Sequence, residues 1–137
     1  MIDDQIPRTG TSTSKSMRWT GIVLSVLPTL FLLMDGIMKL IKPAEVIRGT
    51  TELGYNENVI LPLGIILTLI TISYAIPRTA VLGAILLTGY LGGAVATHVR
   101  VGAGAFNILF PVVFGILIWG GLYLRDARLR ALLMRRN

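Results

Sequence analysis

The 137-residue chain contains no cysteine and a single histidine. The missing thiols exclude disulfides, thiol nucleophiles, iron–sulfur clusters and thiolate-held metals together. One histidine excludes two-histidine haem ligation within one chain. With only seven acidic residues besides, no dedicated transition-metal site is expected. Charge is scarce as well: 15 % of residues are charged, against about 25 % in soluble globular domains. No P-loop, nucleophile elbow or dinucleotide fingerprint occurs. The length allows one domain. These shortages argue against a soluble enzyme, and the residues themselves define no reaction. Apolar residues are what the chain has in plenty, at 53 % with a mean hydropathy of +0.73.

That apolar content is concentrated in runs. Crossing about 30 Å of hydrocarbon at about 1.5 Å per residue takes roughly 20 apolar residues. Four segments qualify, at 19–41, 59–76, 79–98 and 105–124. Backbone groups in lipid must be satisfied within the element, so the spans are helices. A soluble helical bundle would need polar stripes on every helix, and spans two to four show almost none. The expected fold is therefore all-α: a polytopic membrane protein forming an antiparallel four-transmembrane-helix bundle. Pro77 and Arg78 mark a tight turn between spans two and three, and V-G-A-G at 101–104 marks another before span four. Pro62 sits in a first helical turn, where its missing N–H costs little. Pro111 lies slightly deeper, and Pro28, in mid-span, is expected to kink the first helix.

Basic residues orient the bundle. Nine fall on one side (Arg8, Lys15, Arg18, Arg78, Arg125, Arg128, Arg130, Arg135 and Arg136) and three on the other (Lys42, Arg48 and Arg100). Both termini are accordingly expected in the cytoplasm of a bacterial cell, with the chain multi-pass in its inner membrane. The basic balance does not indicate nucleic acid, because the cluster R-D-A-R-L-R-A-L-L-M-R-R directly follows a span. It reads as a basic C-terminal helix over 125–137 continuing out of the bilayer, with Arg125, Arg128, Arg135 and Arg136 on anionic headgroups. Simple topology-setting charge accounts for it equally well.

Residues 1–18 are rich in Ser, Thr, Gly and charge and are expected to form a disordered tail before the 19–124 membrane domain. Lys15 and Arg18 ahead of an apolar run also resemble a signal peptide. The run is long, lacks a small-x-small cleavage site and ends in K-L-I-K-P, so it reads as a retained span. The long connection after it carries Val46, Ile47 and Leu53 at near-helical spacing, with Glu45, Arg48 and Glu52 facing elsewhere. This predicts a short amphipathic interfacial helix over the bundle mouth, between Pro43 and Gly54. A plain solvated loop is the alternative.

Two charged residues fall inside a span, both in the first: Asp35 and Lys39. Such residues are costly in hydrocarbon and default to functional candidates. Their i, i+4 spacing places them on one face in the acid-before-base order that favours pairing. Topology brings His98 and Arg100, at the end of span three, and Asn107, at the start of span four, to the same level. Tyr90 lies mid-span, where a phenol must find a partner or a ligand. The candidate cluster is thus Asp35, Lys39, Tyr90, His98, Arg100 and Asn107. Its bland counterpart is a self-neutralising ion pair with snorkelling cations. Gly89 and Gly93, Gly92 and Ala96, Gly115, and Gly120 with Gly121 read as small-residue positions for close helix approach. Trp19, Trp119 and Tyr123 read as interfacial anchors.

Four segments carry a family resemblance: D-G-I-M-K-L at 35–40, E-L-G-Y at 52–55, the run I-P-R-T-A-V-L-G-A-I-L-L-T-G-Y-L-G-G-A-V-A-T-H-V-R at 76–100, and W-G-G-L-Y-L-R-D at 119–126. Through them the chain resembles the DoxX-like family of small four-span bacterial membrane proteins. The resemblance runs from about residue 17 to residue 133. It implies an inner-membrane four-helix bundle and an accessory place in a membrane redox system. The family name comes from a subunit of a thiosulfate:quinone oxidoreductase, and other relatives are associated with redox or oxidative-stress complexes. The family brings no agreed catalytic set, and nothing in this sequence shows a sulfur-handling site.

Two functional expectations follow. In the first, the chain is an accessory subunit that binds a quinone in an apolar cavity, with His98, Tyr90 or Asp35 on its oxygens. A thiol–disulfide relay is excluded for want of cysteine, so electrons would come from a membrane or soluble redox partner. In the second, it is a non-catalytic scaffold, lipid-binding protein or small-solute carrier in which the polar cluster serves packing. Transport in that case calls for a homo-oligomer, since four short spans leave one chain little room for alternating access. No cofactor follows from the residues alone. The bilayer is the common partner of both.

Overall fold

The computed structural model describes residues 14–135. Residues 1–13 of the expected tail, Arg8 among them, and Arg136 lie outside the described residues. Four long apolar helices dominate: α1 (Lys15–Ile41), α3 (Ile60–Ala75), α4 (Ala80–Arg100) and α5 (Ala105–Arg125). Two shorter ones accompany them, α2 (Ala44–Glu52) between the first two spans and α6 (Ala127–Leu133) after the last. The long helices form a closed ring in which α1 and α4 each pack against both α3 and α5. Their core holds Leu32, Leu67, Tyr74, Leu87, Ile118 and Leu122. Leu27, Leu30, Leu69, Leu82, Ile85 and Ile116 point outward and are exposed, as required of helices surrounded by lipid. The chain is thus a multi-pass membrane protein. Because the spans alternate in direction, α1 begins and α5 finishes at one end, here the terminal end. The opposite, distal end carries α2.

Boundaries follow local chemistry. Ser14 caps α1, its hydroxyl accepting from Met17 N at 3.2 Å. The helix therefore includes Lys15 to Arg18, which composition alone had assigned to the tail. A capped N-terminus ahead of twenty apolar residues propagates helix into polar sequence. α1 runs on through Pro28, which is fully buried, and ends at Lys42 in a left-handed conformation (φ 54°) whose N–H bonds Met38 O. α2 exists as expected, with its half-buried face formed by Val46, Ile47, Thr50 and Leu53. Gly54 at φ +89° turns the chain after it.

The basic tail does not continue α5 out of the bilayer. Asp126 breaks the helix and caps α6, its Oδ1 accepting from Arg128 N at 2.9 Å and Leu129 N at 3.3 Å. Arg130 then folds back, buried, and donates to Tyr123 O at 2.8 Å and Leu124 O at 2.7 Å. Those carbonyls in the last turn of α5 would otherwise lack partners.

Close approach of the helices also departs from the glycine pattern expected. A Cβ added at Gly89, Gly92, Gly93, Gly115 or Gly120 would meet nothing within 4 Å, so these glycines bring no described helix close. Only Gly121 of the expected set does so, against Ser25 of α1. The tight crossings use Gly21, where an added Cβ would lie 2.7 Å from Arg125 N, Gly64, where it would lie 2.8 Å from Lys39 Cβ, Gly36, and Gly83, whose Cβ would overlap the Tyr74 backbone. Small-xxx-small spacing identifies a face without side chains but does not say whether another helix fills it.

Candidate functional site

The distal half of the ring is open. A cavity of about 440 Å³ lies between α1, α4 and α5 beneath α2, within the roughly 300–1,000 Å³ common for small-molecule sites. Its apolar wall includes Leu32, Leu63 and Leu91 together with Phe31, Phe110 and Phe114. The three phenylalanines form a cluster, Phe114 lying 4.8 Å from each of the other two rings and Phe31 5.4 Å from Phe110, centroid to centroid. Gly89 and Gly93 line the opposite side. The glycines of span three therefore open a cavity where helix packing was expected of them, and backbone can approach a ligand closely there.

Polar groups gather on this cavity. Asp35 and Lys39 pair at 2.6 Å between Oδ1 and Nζ, the i, i+4 pairing expected from their spacing. That single bond leaves Asp35 Oδ2 and two ammonium hydrogens without a hydrogen-bond partner among the described residues. His98 Nδ1 lies 2.7 Å from Ala94 O. A carbonyl only accepts, so Nδ1 carries the hydrogen and Nε2 is the acceptor of the neutral ring. The Tyr90 hydroxyl bonds to no described residue. Asp35, Lys39, Tyr90 and His98 all line the cavity. They supply donors (Lys39 and Tyr90) and acceptors (Asp35 and His98) at the edge of an apolar chamber. Among the described residues no three His, Asp or Glu side chains converge as metal ligands would.

The other two candidates are placed elsewhere. Asn107 is exposed and does not line the cavity. Arg100 is exposed and donates from Nη2 to Leu53 O at 2.7 Å, so it ties the chain after α2 to the end of α4. A second tie lies beside it. Thr97 Oγ1 donates to Gly93 O at 2.8 Å and accepts from Tyr55 OH at 2.7 Å. Three residues of the E-L-G-Y segment have a place here: Leu53 offers its carbonyl, Gly54 supplies the positive φ, and Tyr55 reaches Thr97. Together they hold α2 over the cavity, with Thr50, Leu53 and Tyr55 forming part of its lining.

A profile of the DoxX-like family matches residues 23–121. The chain belongs to the DoxX-like family. The matched region contains all four cavity residues named above and the segment that clasps α2. Neither a curated protein nor a solved structure shows significant similarity to this DoxX-like chain.

Three features were missed in the sequence. Tyr74 is fully buried in the core, donates to Ile118 O at 2.7 Å and lies 3.2 Å from Ser25 Oγ. Its place two residues before Ile76-Pro77 gave no sign of this. Arg125, expected on headgroups, turns inward and donates to Tyr74 O at 3.1 Å, its Cζ 4.9 Å from the Tyr74 ring centre. Trp119, expected as an interfacial anchor, donates from its indole to Thr88 Oγ1 at 2.7 Å and so pins α5 to α4. Of the remaining expected headgroup residues, Arg128 and Arg135 are exposed.

Proposed function

We propose that this DoxX-like protein is an accessory subunit of a membrane redox system whose distal cavity takes a quinone-class molecule: a flat ring bearing carbonyl or hydroxyl oxygens on an apolar tail. The observation that carries this reading is the cavity itself, apolar and phenylalanine-walled along its length, glycine-backed, with unsatisfied polar groups at its edge. The residues fit the group. Lys39 and Tyr90 donate to carbonyl oxygens, His98 Nε2 and Asp35 accept from hydroxyls, and the phenylalanine cluster offers ring faces and edges to stack on. Bound there, a quinone supplies two-electron, two-proton carrier chemistry, and a separate redox partner supplies the electrons. The chain's own task is to bind and orient the ring.

The same proposal places the protein in a bacterial inner membrane with both termini cytoplasmic. The support is charge: Lys15, Arg18, Arg78, Arg125, Arg128, Arg130 and Arg135 gather at the terminal end, while Lys42, Arg48 and Arg100 lie at the distal end. The distal cavity then opens toward the outer leaflet. A second reading is favoured by one observation, the 2.6 Å Asp35–Lys39 pair. If its role is self-neutralisation alone, the bundle is a scaffold, lipid-binding protein or solute carrier.

Binding of a short-chain benzoquinone analogue to the purified protein in detergent separates the two. His98→Ala and Tyr90→Phe each remove one hydrogen bond, worth about 0.5–1.5 kcal/mol, so affinity should fall about three- to tenfold. Asp35→Asn should weaken it as well. Unchanged affinity in all three variants, or no binding by the wild type, defeats the quinone assignment.

A further inference from the structure

The terminal end holds a second concavity, of about 400 Å³, whose chemistry is the reverse of the first. Four arginines line it, Arg18 from α1, Arg78 from the α3–α4 turn, Arg125 from the end of α5 and Arg128 from α6. Asp126 is the one carboxylate there, and its Oδ1 is already engaged by the two backbone N–H groups it caps. No ion pair forms with any of the four arginines among the described residues. Four guanidinium groups around one carboxylate repel one another, and the fold keeps them together all the same.

Their placement is built. Arg125 is held by the Tyr74 carbonyl and packed over the Tyr74 ring. The break at Asp126 turns α6 away from the α5 axis, which brings Arg128 to the same concavity that Arg125 lines. The tight turn after α3 presents Arg78. Ile22 and Leu122 give the concavity an apolar side. Planar guanidinium forks match the oxygens of a phosphate two at a time, and basic pockets between membrane helices suit anionic lipid headgroups.

We infer that this arginine pocket is a specific binding site for a phosphate-bearing anion, separate from the distal cavity and independent of whatever the cavity binds. The half-buried Ile22 beside the arginines suits a phosphodiester headgroup with its acyl chains attached, and the same arginines would take free phosphate. The two sources share one chemistry and differ in the test.

The full-length protein in uncharged detergent is titrated with dioleoylphosphatidylglycerol, with dioleoylphosphatidylcholine and with inorganic phosphate, and thermal unfolding is followed by the fluorescence of Trp19 and Trp119. Phosphatidylglycerol should raise the unfolding temperature saturably, and phosphatidylcholine should not. The triple variant Arg18→Gln/Arg78→Gln/Arg128→Gln should need at least tenfold more lipid for the same shift. Arg125 is left intact because it also holds Tyr74. The control Lys15→Gln/Arg135→Gln removes two charges from the same end but outside the pocket, and should behave as the wild type within twofold. If the triple variant does not fold, Arg78→Gln alone, in the exposed turn, should raise the lipid requirement several-fold. Inorganic phosphate that stabilises the protein and competes with the lipid identifies free phosphate as a ligand; stabilisation by the lipid alone identifies the headgroup. Equal effects of both lipids, no saturable effect of any titrant, or a folded triple or single variant with wild-type affinity overturns the inference.

Discussion

Replacing one member of the Asp35–Lys39 pair, then both, asks whether this ion pair within a span serves the fold or the cavity. Breaking a fully buried pair costs about 3–5 kcal/mol, because a charge is stranded away from water. Exposed pairs cost about 0–1 kcal/mol. This pair lies between those limits: the Lys39 side chain is 14 % exposed and that of Asp35 38 %. Asp35→Asn strands the more buried partner and should destabilise by about 2 kcal/mol. Lys39→Met strands the more exposed one and should cost about 1 kcal/mol by the same scaling. The double variant removes both charges, so its loss should fall below the sum by about 1 kcal/mol, beyond the roughly 0.3–0.5 kcal/mol scatter of independent sites. Unfolding in detergent, followed by far-ultraviolet circular dichroism and tryptophan fluorescence, measures all four proteins. Quinone-analogue binding to the double variant completes the experiment. Stability restored with binding lost means that the pair meets the ligand, while both restored means that it serves packing alone. Losses that simply add refute the coupling argued from the 2.6 Å contact.

Two glycine substitutions should part ways. Gly93→Leu adds a side chain where a Cβ meets nothing within 4 Å, so it should fill the cavity, gain roughly 0.8–1 kcal/mol of helix propensity and lower quinone-analogue affinity more than tenfold; unchanged affinity in a stable protein would count against the cavity as the site. Gly83→Ala drives a Cβ into the Tyr74 backbone and should destabilise by about 1–3 kcal/mol, as overpacking does, with a lowered unfolding temperature as the readout and an unchanged one as the contrary result.

The level of each group along the bundle axis was legible in the sequence, because about 1.5 Å of rise per residue converts position in a span to depth. Asp35, Lys39 and His98 reach the same end of the bundle on that arithmetic alone, and Tyr90 lines the cavity with them. Rotation about the axis was not legible. A helix apolar all round has no polar stripe to say which face turns inward, so Asn107 and His98 looked equivalent although one is exposed and the other lines the cavity. The inward bonds of the arginines after the last span were not legible either. Position after a span assigns Arg125 to headgroups by default and says nothing of its bond to the Tyr74 carbonyl of α3, or of the bonds from Arg130 to the last carbonyls of α5. The available signal was Asp126, an N-cap residue that could have announced the break and the new helix.

Glycine does opposite work in the two halves of this bundle, and that contrast bears on function. At Gly21, Gly36, Gly64 and Gly83 the missing side chain admits another helix. At Gly89 and Gly93 it admits nothing from the chain itself and leaves part of the cavity wall bare. Glycine within a helix costs about 1 kcal/mol relative to alanine. A bundle required only to pack could carry alanine at 89 and 93, where an added Cβ meets nothing within 4 Å. On the proposed reading, a bound molecule offsets that cost. The Tyr90 hydroxyl and the free edge of the Asp35–Lys39 pair belong to residues lining the same space, where they would meet a polar end on such a molecule.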